Sequence, residues 1–271
     1  MSLVLVTTPI GNLGDISQRA IETLRSSSLI CCEDTRHSGS LLARIGVSGV
    51  PLAVCNEHNE SQRAAQVIER LAAGEQVALI TDAGTPGISD PGAHLVAAVI
   101  AAGYPVSAVP GPAALIMALV ISGLDTTRFV FDGFLARSGS QRSARLAEIA
   151  AERRTTVLYE APHRVARTIE DLAAACGDDR RVAICRELTK LYEHVWRGTL
   201  GDAAAALGEP RGEYVLVIEG APPAAVADDD QLADELRQMI AAGSDRKSAI
   251  AAVAAMHQVP KKRVYALALA L

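Results

Sequence analysis

The segment that most constrains the fold of this chain is LITDAGTPGISDPG, which runs from Leu79 to Gly92. It continues an apolar run, residues 77–80, that is typical of a buried strand. A second Gly/Pro turn, at 110–112, also follows a short strand-like run. Because ligands of open parallel sheets bind beyond the carboxyl ends of the strands, these turns predict a ligand cleft. The glycines predicted to bring the backbone close to a ligand and to adopt positive φ are Gly84, Gly87, Gly92 and Gly111.

The same turns do not match two common nucleotide-binding fingerprints. No G-x-G-x-x-G follows a strand-like run, and the chain has no G-x-x-x-x-G-K-[ST] phosphate loop. Asp82 lies at the mouth of its strand, where a carboxylate can accept hydrogen bonds from a ribose or an amine. Each turn taken alone is equally compatible with a plain connection between a strand and a helix.

Composition limits the class of protein. With 271 residues, the chain is long enough for two medium domains or one large one. A net charge of −5 argues against a generally basic surface that binds nucleic acid, although it permits local basic patches. The amino-terminal residues do not resemble a signal peptide, and the apolar stretch 113–121 is too short to span a bilayer. We therefore expect a cytoplasmic protein with no membrane contact.

The cysteines favour reduced, buried thiols over disulfides or a metal site. Their number is odd, and no two of them form C-x-x-C. His58 has no partner at helical spacing, so no metal is predicted. The cysteines are Cys31, Cys32, Cys55, Cys176 and Cys185.

The first half of the chain alternates strand and helix patterns, which predicts an α/β sheet. The predicted strands are 3–6, 29–32, 50–54, 77–81 and 104–109. The first predicted helix begins at a capping box formed by Asp15 and Gln18 and ends at Leu24. The other predicted helices are 59–73, 92–102 and 113–122. Pro51 indicates an edge strand, and Pro112 is typical of a first helical position.

A second, more strand-rich alternation follows Gly123 and predicts a second α/β domain. Its predicted strands are 129–131, 156–159, 181–185, 194–197 and 214–219, and its helices are 142–153, 165–176 and 202–207. Beyond a Pro-rich break at 221–223, short helices are predicted at 231–242, 247–256 and 261–269, with a cap at Ser244-Asp245. The predicted domains are therefore 1–123, 124–222 and a helical appendage, 228–271. The appendage is compatible with a helix-turn-helix that binds RNA, or with simple packing on the body or a partner.

Several segments of the chain, in order, resemble the tetrapyrrole methylase superfamily and, within it, the methyltransferases of small-subunit ribosomal RNA. The resemblance covers nearly the whole chain. Its segments are TTPIGNLGD (7–15), CEDTRHSGSLL (32–42), TDAGTPGISDPG (81–92), VPGPAAL (109–115), YEAPHR (159–164), CRELTKLYE (185–193) and GEYVLVIEG (212–220). Ala113 and Ala161 stand where the family usually has serine. The change at Ala113 removes one hydroxyl from the expected cofactor cleft but leaves the backbone contacts available.

The resemblance implies a homodimer in which S-adenosylmethionine folds into a cleft between two α/β domains. The implied reaction is 2′-O-methylation of a cytidine ribose in the decoding region of 16S ribosomal RNA. Amides at the start of the 113–122 helix are predicted to receive the carboxylate of the cofactor. The expected cofactor-binding residues are Pro9, Asp82, Ala83, Gly84, Ile88, Ala113, Ala114, Phe134, Leu135, Glu187 and Leu188.

Glu187 and Lys190 are the catalytic candidates, since they lie in RELTK directly after a strand-like run. A sulfonium methyl group is already activated, so an enzyme mainly has to align it with the acceptor. Because a ribose hydroxyl is a weak acid, either side chain would help by orienting or deprotonating it. A purely structural ion pair at i,i+3 spacing is the alternative.

Basic side chains are the candidates for RNA contacts, because such groups dominate binding to the phosphate backbone. The candidates are Arg36, His37, Arg164, Arg186, Lys261, Lys262 and Arg263. For the arginines in the first two domains, exposed positions or ion pairs with Glu33, Asp34 or Glu160 are the alternative. Two other functions stay open: methylation of a tetrapyrrole carbon by the same fold, and nucleotide binding by a regulator without catalysis.

Overall fold

A computed structural model describes residues 1–56, 58–223, 228–257 and 259–270. The chain forms two compact units, Met1–Ala221 and Pro222–Leu271. The first unit contains two five-stranded sheets, one before and one after residue 123. The α/β class is confirmed, and every predicted helix and strand is present with its ends within three residues. Within the described ranges, no helix is long and apolar enough to cross a membrane.

The first sheet is entirely parallel, with the strand order β3-β2-β4-β1-β5. Its strands are β1 (Leu3–Val6), β2 (Leu29–Cys32), β3 (Leu52–Val54), β4 (Val77–Leu79) and β5 (Val106–Val109). Helices α1 (Gln18–Ser26) and α2 (Thr35–Arg44) pack on one face, and α3 (Glu60–Ala72) and α4 (Ala93–Ala101) pack on the other. Apolar side chains cover both faces, as parallel sheets require. The edge position predicted from Pro51 is confirmed, because β3 is an edge strand.

The order of these strands determines where a cleft can open. The connection from β2 leads outward to β3, whereas the connection from β4 leads the opposite way to β5. The chain thus diverges between the carboxyl ends of β2 and β4, which is the point where ligands bind in open α/β sheets. Glu33 follows β2 and Asp82 follows β4, so this edge carries two carboxylates.

Three local predictions are wrong. Ser17, not Asp15, caps α1, since its hydroxyl accepts the Ala20 amide at 3.1 Å while Asp15 lies in a short 3₁₀ turn. Pro112 is not the first residue of its helix, because α5 (Ala114–Ser122) begins after an N-cap at Ala113. Gly111 does not have positive φ, unlike the three other predicted glycines. A Cβ at Gly111 would lie 3.0 Å from that of Thr7, so close chain packing explains the glycine.

The second sheet is mostly antiparallel, in the order β6-β7-β10-β8-β9. Its strands are β6 (Phe129–Phe134), β7 (Thr155–Glu160), β8 (Arg181–Arg186), β9 (His194–Thr199) and β10 (Tyr214–Ile218). Helix α5 packs on one face, and α6 (Gly139–Ala151), α7 (Pro162–Cys176) and α8 (Leu200–Ala206) pack on the other. Alternate residues of β10 therefore enter different cores, with Leu216 on the α7 side and Val215 and Val217 on the α5 side.

The second unit is a three-helix arrangement of α9 (Asp229–Ala241), α10 (Arg246–Met256) and α11 (Lys261–Leu269). Its core contains Leu232, Leu236, Val253 and Val264. The predicted cap is confirmed, because the Asp245 carboxylate accepts the Ser248 amide at 3.0 Å. Gln258 and Leu271 of the predicted appendage lie outside the described residues.

Candidate functional site

The first cavity lies beyond the carboxyl edge of the parallel sheet and has a volume of about 550 Å³. The glycine-rich loop after β4, the start of α5 and the second sheet contribute its walls. A pair of backbone hydrogen bonds between Thr8 and Gly84, at 2.9 and 3.1 Å, joins the loops that follow β1 and β4. The apolar part of the lining includes Ile10, Ile88, Leu115, Phe134 and Tyr159.

Carboxylates dominate the polar part of this cavity. Glu33, Asp82 and Asp90 all line it. Burial raises the pKa of Asp90 to about 6, and the neighbouring Glu33 and Asp82 add to this shift against the hydrogen bond from Thr81. The Oδ1 atom of Asp82 is buried and has no hydrogen-bond partner among the described residues. A cationic hydrogen-bond donor would therefore be stabilised here.

Tyr159 organises the start of α5. Ala113, the N-cap, offers no side-chain acceptor, and the Tyr159 hydroxyl accepts the Leu115 amide at 3.2 Å instead. The ring of Tyr159 packs edge-on against Phe131 and Phe134, with centroids 4.9 and 5.7 Å away. One of the amides predicted to bind an anion is thus already used.

A second cavity, of about 830 Å³, adjoins the first. The two cavities share Ile10, Asp82, Ala83 and Glu213 in their linings. One wall is a face of α2, on which His37, Ser40, Leu41 and Arg44 recur at helical spacing. The opposite wall is the loop between β8 and β9, which contributes Thr189, Lys190 and Leu191. This cavity thus adds the side chains of His37, Arg44 and Lys190 to the carboxylates of Asp82 and Glu213, which it shares with the first.

Lys190 is held between two carboxylates at the shared edge of the cavities. Its Nζ lies 2.9 Å from Glu187 Oε1 and 2.6 Å from Glu213 Oε2. Partial burial opposes the charge of Lys190, but these hydrogen bonds outweigh it and raise its pKa. Burial alone would raise the pKa of Glu187. The hydrogen bonds that its carboxylate accepts from Lys190 and from the Glu213 amide outweigh burial and lower this pKa. At neutral pH the pair is therefore an ammonium and a carboxylate.

The backbone around this pair is strained. Glu187 and Thr189 adopt φ of 52° and 66°, which is uncommon for residues other than glycine. Two glycines make space for the side chains. A Cβ at Gly11 would lie 2.4 Å from Lys190 Cγ, and one at Gly212 would lie 2.5 Å from the Glu187 carboxylate. Such strain persists where the surrounding structure over-determines it, as at functional sites.

Most of the expected cofactor-binding residues line the first cavity. They are Asp82, Ala83, Gly84, Ile88, Ala113, Ala114, Phe134 and Leu188. Pro9 lines the second cavity instead. Leu135 is buried in the core between the second sheet and α7, so the structure does not bring its side chain to either cavity. Glu187 lines neither cavity and contacts Lys190, which lines the second.

The expected RNA-binding residues fall into distinct environments. His37 lines the second cavity, whereas Arg36 is 90% exposed and pairs with Asp34 at 2.7 Å. Arg164 is half-buried, pairs with Glu160 at 3.2 Å and donates to the Leu135 carbonyl. The Nε atom of Arg186 is buried without a partner among the described residues.

In the second unit, the three expected RNA-binding residues differ in their freedom to bind. Lys261 and Lys262 are exposed at the start of α11. Arg263 pairs with Asp229 at 2.8 Å, so part of its charge is neutralised within the unit.

Several lining residues have no counterpart among the individual predictions. They are Glu33, Asp90, Tyr159, Glu160, Glu213 and Tyr214 in the first cavity, and Asn12, Arg44, Thr189 and Leu191 in the second. Most lie inside the segments that carry the family resemblance, so the segment was informative where the single residue was not. Arg44 lies outside them, and its signal is the i, i+7 spacing from His37 on α2.

The chain is similar to proteins of one family along its length. The family model for Tetrapyrrole (Corrin/Porphyrin) Methylases matches residues 2–204. Ribosomal RNA small subunit methyltransferase I of Synechocystis sp. is 46% identical over 99% of this chain and 98% of the relative. The protein of that name from Xylella fastidiosa is 48% identical over 81% and 82%.

A comparison with solved structures shows which known fold the chain shares. The uroporphyrin-III C-methyltransferase from Thermus thermophilus, complexed with S-adenosyl homocysteine, matches 81% of this chain and 97% of its own, with a TM-score of 0.58 and 16% identity. Together with the two sheets and the cleft, these similarities show that the chain belongs to the tetrapyrrole methylase family and, within it, to the family of ribosomal RNA small subunit methyltransferase I.

Proposed function

We propose that this protein transfers the methyl group of S-adenosylmethionine to the 2′-oxygen of a cytidine ribose in the decoding region of 16S ribosomal RNA. The observation that carries the proposal is the contact between two unlike cavities. One is acidic and apolar, and the other adds Arg44 and Lys190 to the carboxylates that the two cavities share. Adjoining cavities of different charge favour the approach of a cationic methyl donor to an anionic polymer. The names of the relatives support RNA as the methyl acceptor.

The first cavity fits the cofactor. S-adenosylmethionine supplies an electrophilic methyl group on a sulfonium, and it also carries an α-ammonium group. Asp82, with its unpartnered buried oxygen, is suited to accept a hydrogen bond from the cofactor, and Glu33 and Asp90 favour its positive charge. Ile88 and Phe134 provide apolar surface for the adenine.

The second cavity fits the acceptor ribose, with Lys190 as the group that contacts it. Because its pKa is raised, Lys190 remains an ammonium and is not the base. It would instead donate a hydrogen bond to the 2′-oxygen and offset its negative charge as the hydroxyl proton passes to solvent water. The oxygen would then bond to the methyl carbon while the methyl–sulfur bond breaks, and S-adenosylhomocysteine would leave with the electron pair of that bond. Glu187 and Glu213 position it, since both carboxylates bind its Nζ atom. Alignment of acceptor and methyl group provides the rest of the acceleration.

The remaining RNA contacts follow from exposure. His37 and Arg44 line the acceptor cavity and would bind phosphates beside the target nucleotide. Lys261 and Lys262 would extend the electrostatic contact from the second unit. The other four expected RNA-binding residues are weaker candidates for phosphate contacts. Three of them, Arg36, Arg164 and Arg263, already pair with acids, and Arg186 is partly buried. A double Lys261→Glu, Lys262→Glu variant should weaken RNA binding and leave cofactor affinity unchanged.

The family also motivates proposals on location, assembly and domain organisation. The chain would act as a cytoplasmic homodimer on the small ribosomal subunit. Its functional domains would be 1–123, 124–222 and 228–271, with the two sheets on either side of the first boundary. Sedimentation of the purified protein, alone and with small subunits, tests the homodimer and its binding to the subunit.

The deciding experiment is methyl transfer from radiolabelled S-adenosylmethionine to small subunits purified from a strain that lacks this gene, with nuclease mapping of the label. Label in 2′-O-methylcytidine is the expected result, and Lys190→Met protein is the control for background transfer. Absence of label in a protein that binds the cofactor would contradict the proposal. It would favour a tetrapyrrole substrate or a regulator without catalysis.

A further inference from the structure

Two consecutive apolar side chains are displayed to solvent beside the second cavity. Leu191 is 88% exposed and Tyr192 is 71% exposed, in the loop between β8 and β9. Single exposed apolar residues are common on protein surfaces. An adjacent pair is less easily explained in a chain in which only 3% of residues are aromatic, because burial of an aromatic ring contributes strongly to stability.

Hydrogen bonds and ion pairs anchor the loop that carries the pair. The Thr189 amide donates to Glu193 Oε2 at 2.6 Å, and the Lys190 and Glu193 amides donate to the carbonyls of Glu187 and Lys190 at 3.0 and 3.1 Å. The Lys190 side chain also pairs with Glu187 and with Glu213, and Glu213 directly precedes β10. These ion pairs hold the same turn against the start of that strand. Leu191 and Tyr192 are therefore presented on an anchored backbone.

The surroundings of the pair indicate its ligand. Leu191 lines the second cavity together with His37, Arg44 and Lys190, and the carboxylates of Asp82 and Glu213 line its border with the first cavity. Cationic groups that follow a phosphate backbone, combined with an aromatic ring for a base, are the usual means of binding single-stranded nucleic acid. Duplex RNA offers no exposed base face, so unpaired RNA fits this surface better.

We infer that Tyr192, with Leu191 beside it, stacks on an unpaired base adjacent to the nucleotide that is methylated. The inference rests on the proposed function, because it places the stacked base next to the acceptor ribose in the second cavity. Tyr192 is a positioning residue in this arrangement. It reduces the freedom of the RNA strand and brings the target ribose to Lys190, without participating in the chemical step.

The test compares four variants in methyl transfer to small subunits under conditions that separate KM from kcat. Tyr192→Ala should raise the KM for the subunit between about 5-fold and 150-fold, the range expected for one lost base stack. Tyr192→Phe should behave as the unmodified protein, and Tyr192→Leu should not rescue the loss. Ile100→Ala removes a similarly exposed apolar side chain from α4 and should have no effect. Affinity for S-adenosylmethionine, measured by calorimetry, should be the same in all four.

Each other outcome contradicts a defined statement. An unchanged KM in Tyr192→Ala, or full rescue by leucine, would overturn the stacking inference while the proposed function stands. A shift of Tyr192→Ala from dimer to monomer in sedimentation would show that a second copy of the chain covers this surface, which would also overturn it. If the unmodified protein methylates no RNA, the proposed function itself fails. Binding of unpaired RNA by the unmodified protein but not by Tyr192→Ala would then still support the stacking surface.

Discussion

The two cavities lie side by side and share Asp82 and Glu213, but the rest of their linings differ in charge. The first cavity combines apolar walls with Glu33, Asp82 and Asp90, and burial raises the pKa of Asp90 to about 6. The second has an α2 face with His37 and Arg44, and a protonated Lys190 facing it from the other sheet. Under the proposed function, each cavity would hold one reactant, and the wall that they share would be where the two reactants meet.

The Lys190→Met change should have the largest effect on this division, because it removes the ammonium and keeps most of the side-chain volume. We expect kcat to fall by about 10² to 10³-fold, as for the loss of one donor to a developing oxyanion. Cofactor affinity should stay unchanged, since Lys190 lines only the second cavity. Single-turnover kinetics and calorimetry measure the two quantities. Weaker cofactor binding with a normal kcat would contradict this assignment, because it would mean that Lys190 acts on the cofactor and not on the acceptor ribose.

Gly11→Ala tests the position of Lys190 without changing any charge. The added methyl group would overlap the aliphatic part of Lys190, and φ of +150° at this residue is unfavourable for alanine. A displacement near 1 Å can cost about 10²-fold, so we expect a fall in kcat up to that size. Gly14→Ala, a change nearby in the same loop, is the control. A normal kcat in Gly11→Ala would show that the exact seat of Lys190 is unimportant.

Asp82→Asn tests the acidic side. The change keeps the shape of the side chain but removes its charge, and a hydrogen bond to a charged group is worth about 1.5–3 kcal/mol. The dissociation constant for S-adenosylmethionine should therefore rise by about 10-fold to 150-fold. Asp234→Asn, an exposed aspartate of α9, is the control. An unchanged calorimetric affinity would exclude Asp82 from the cofactor site.

Asp90→Asn should have the smallest effect, and it should appear in stability. Because the folded-state pKa of Asp90 lies near 6 against an ordinary 3.8, its protonated form favours folding. This contribution is complete below pH 3.8 and is lost as the pH rises through 6. The variant should therefore be more stable than the unmodified protein by about 1–2 kcal/mol at pH 7.5, with the gain shrinking toward pH 4. Urea unfolding at both pH values measures it, and an equal gain at both would contradict the assigned cause.

The first cavity could be predicted from sequence better than the second. Its glycine-rich loop directly follows an apolar strand, so one continuous segment contains Asp82, Gly84, Ile88 and Asp90. The second cavity combines α2 with a loop about 150 residues later in the chain. Local patterns do not encode the relative placement of two sheets, and the polar sequence of α2 conceals its helical period.

Local signals also competed with one another. Asp15 and Ser17 are both good N-caps, and a short 3₁₀ turn at Leu13–Asp15 moves the start of α1 to the serine. Likewise, Pro112 has the residue type of a first helical position, but its helix begins at Ala114. Pro162 does occupy the first position of its own helix, α7. The pKa of Lys190 depends on Glu213, a partner 23 residues away, and the segment RELTK alone does not contain it.

The buried cysteines allow local unfolding of the two sheets to be followed by alkylation. Burial raises the pKa of Cys31 to about 12, and that of Cys55 and Cys185 to about 11. A thiol in that state reacts with alkylating reagents only after its surroundings open. Cys31 and Cys55 belong to the first sheet and Cys185 to the second. The order in which these sites are alkylated would therefore time the opening of each sheet separately, with no residue of the chain changed.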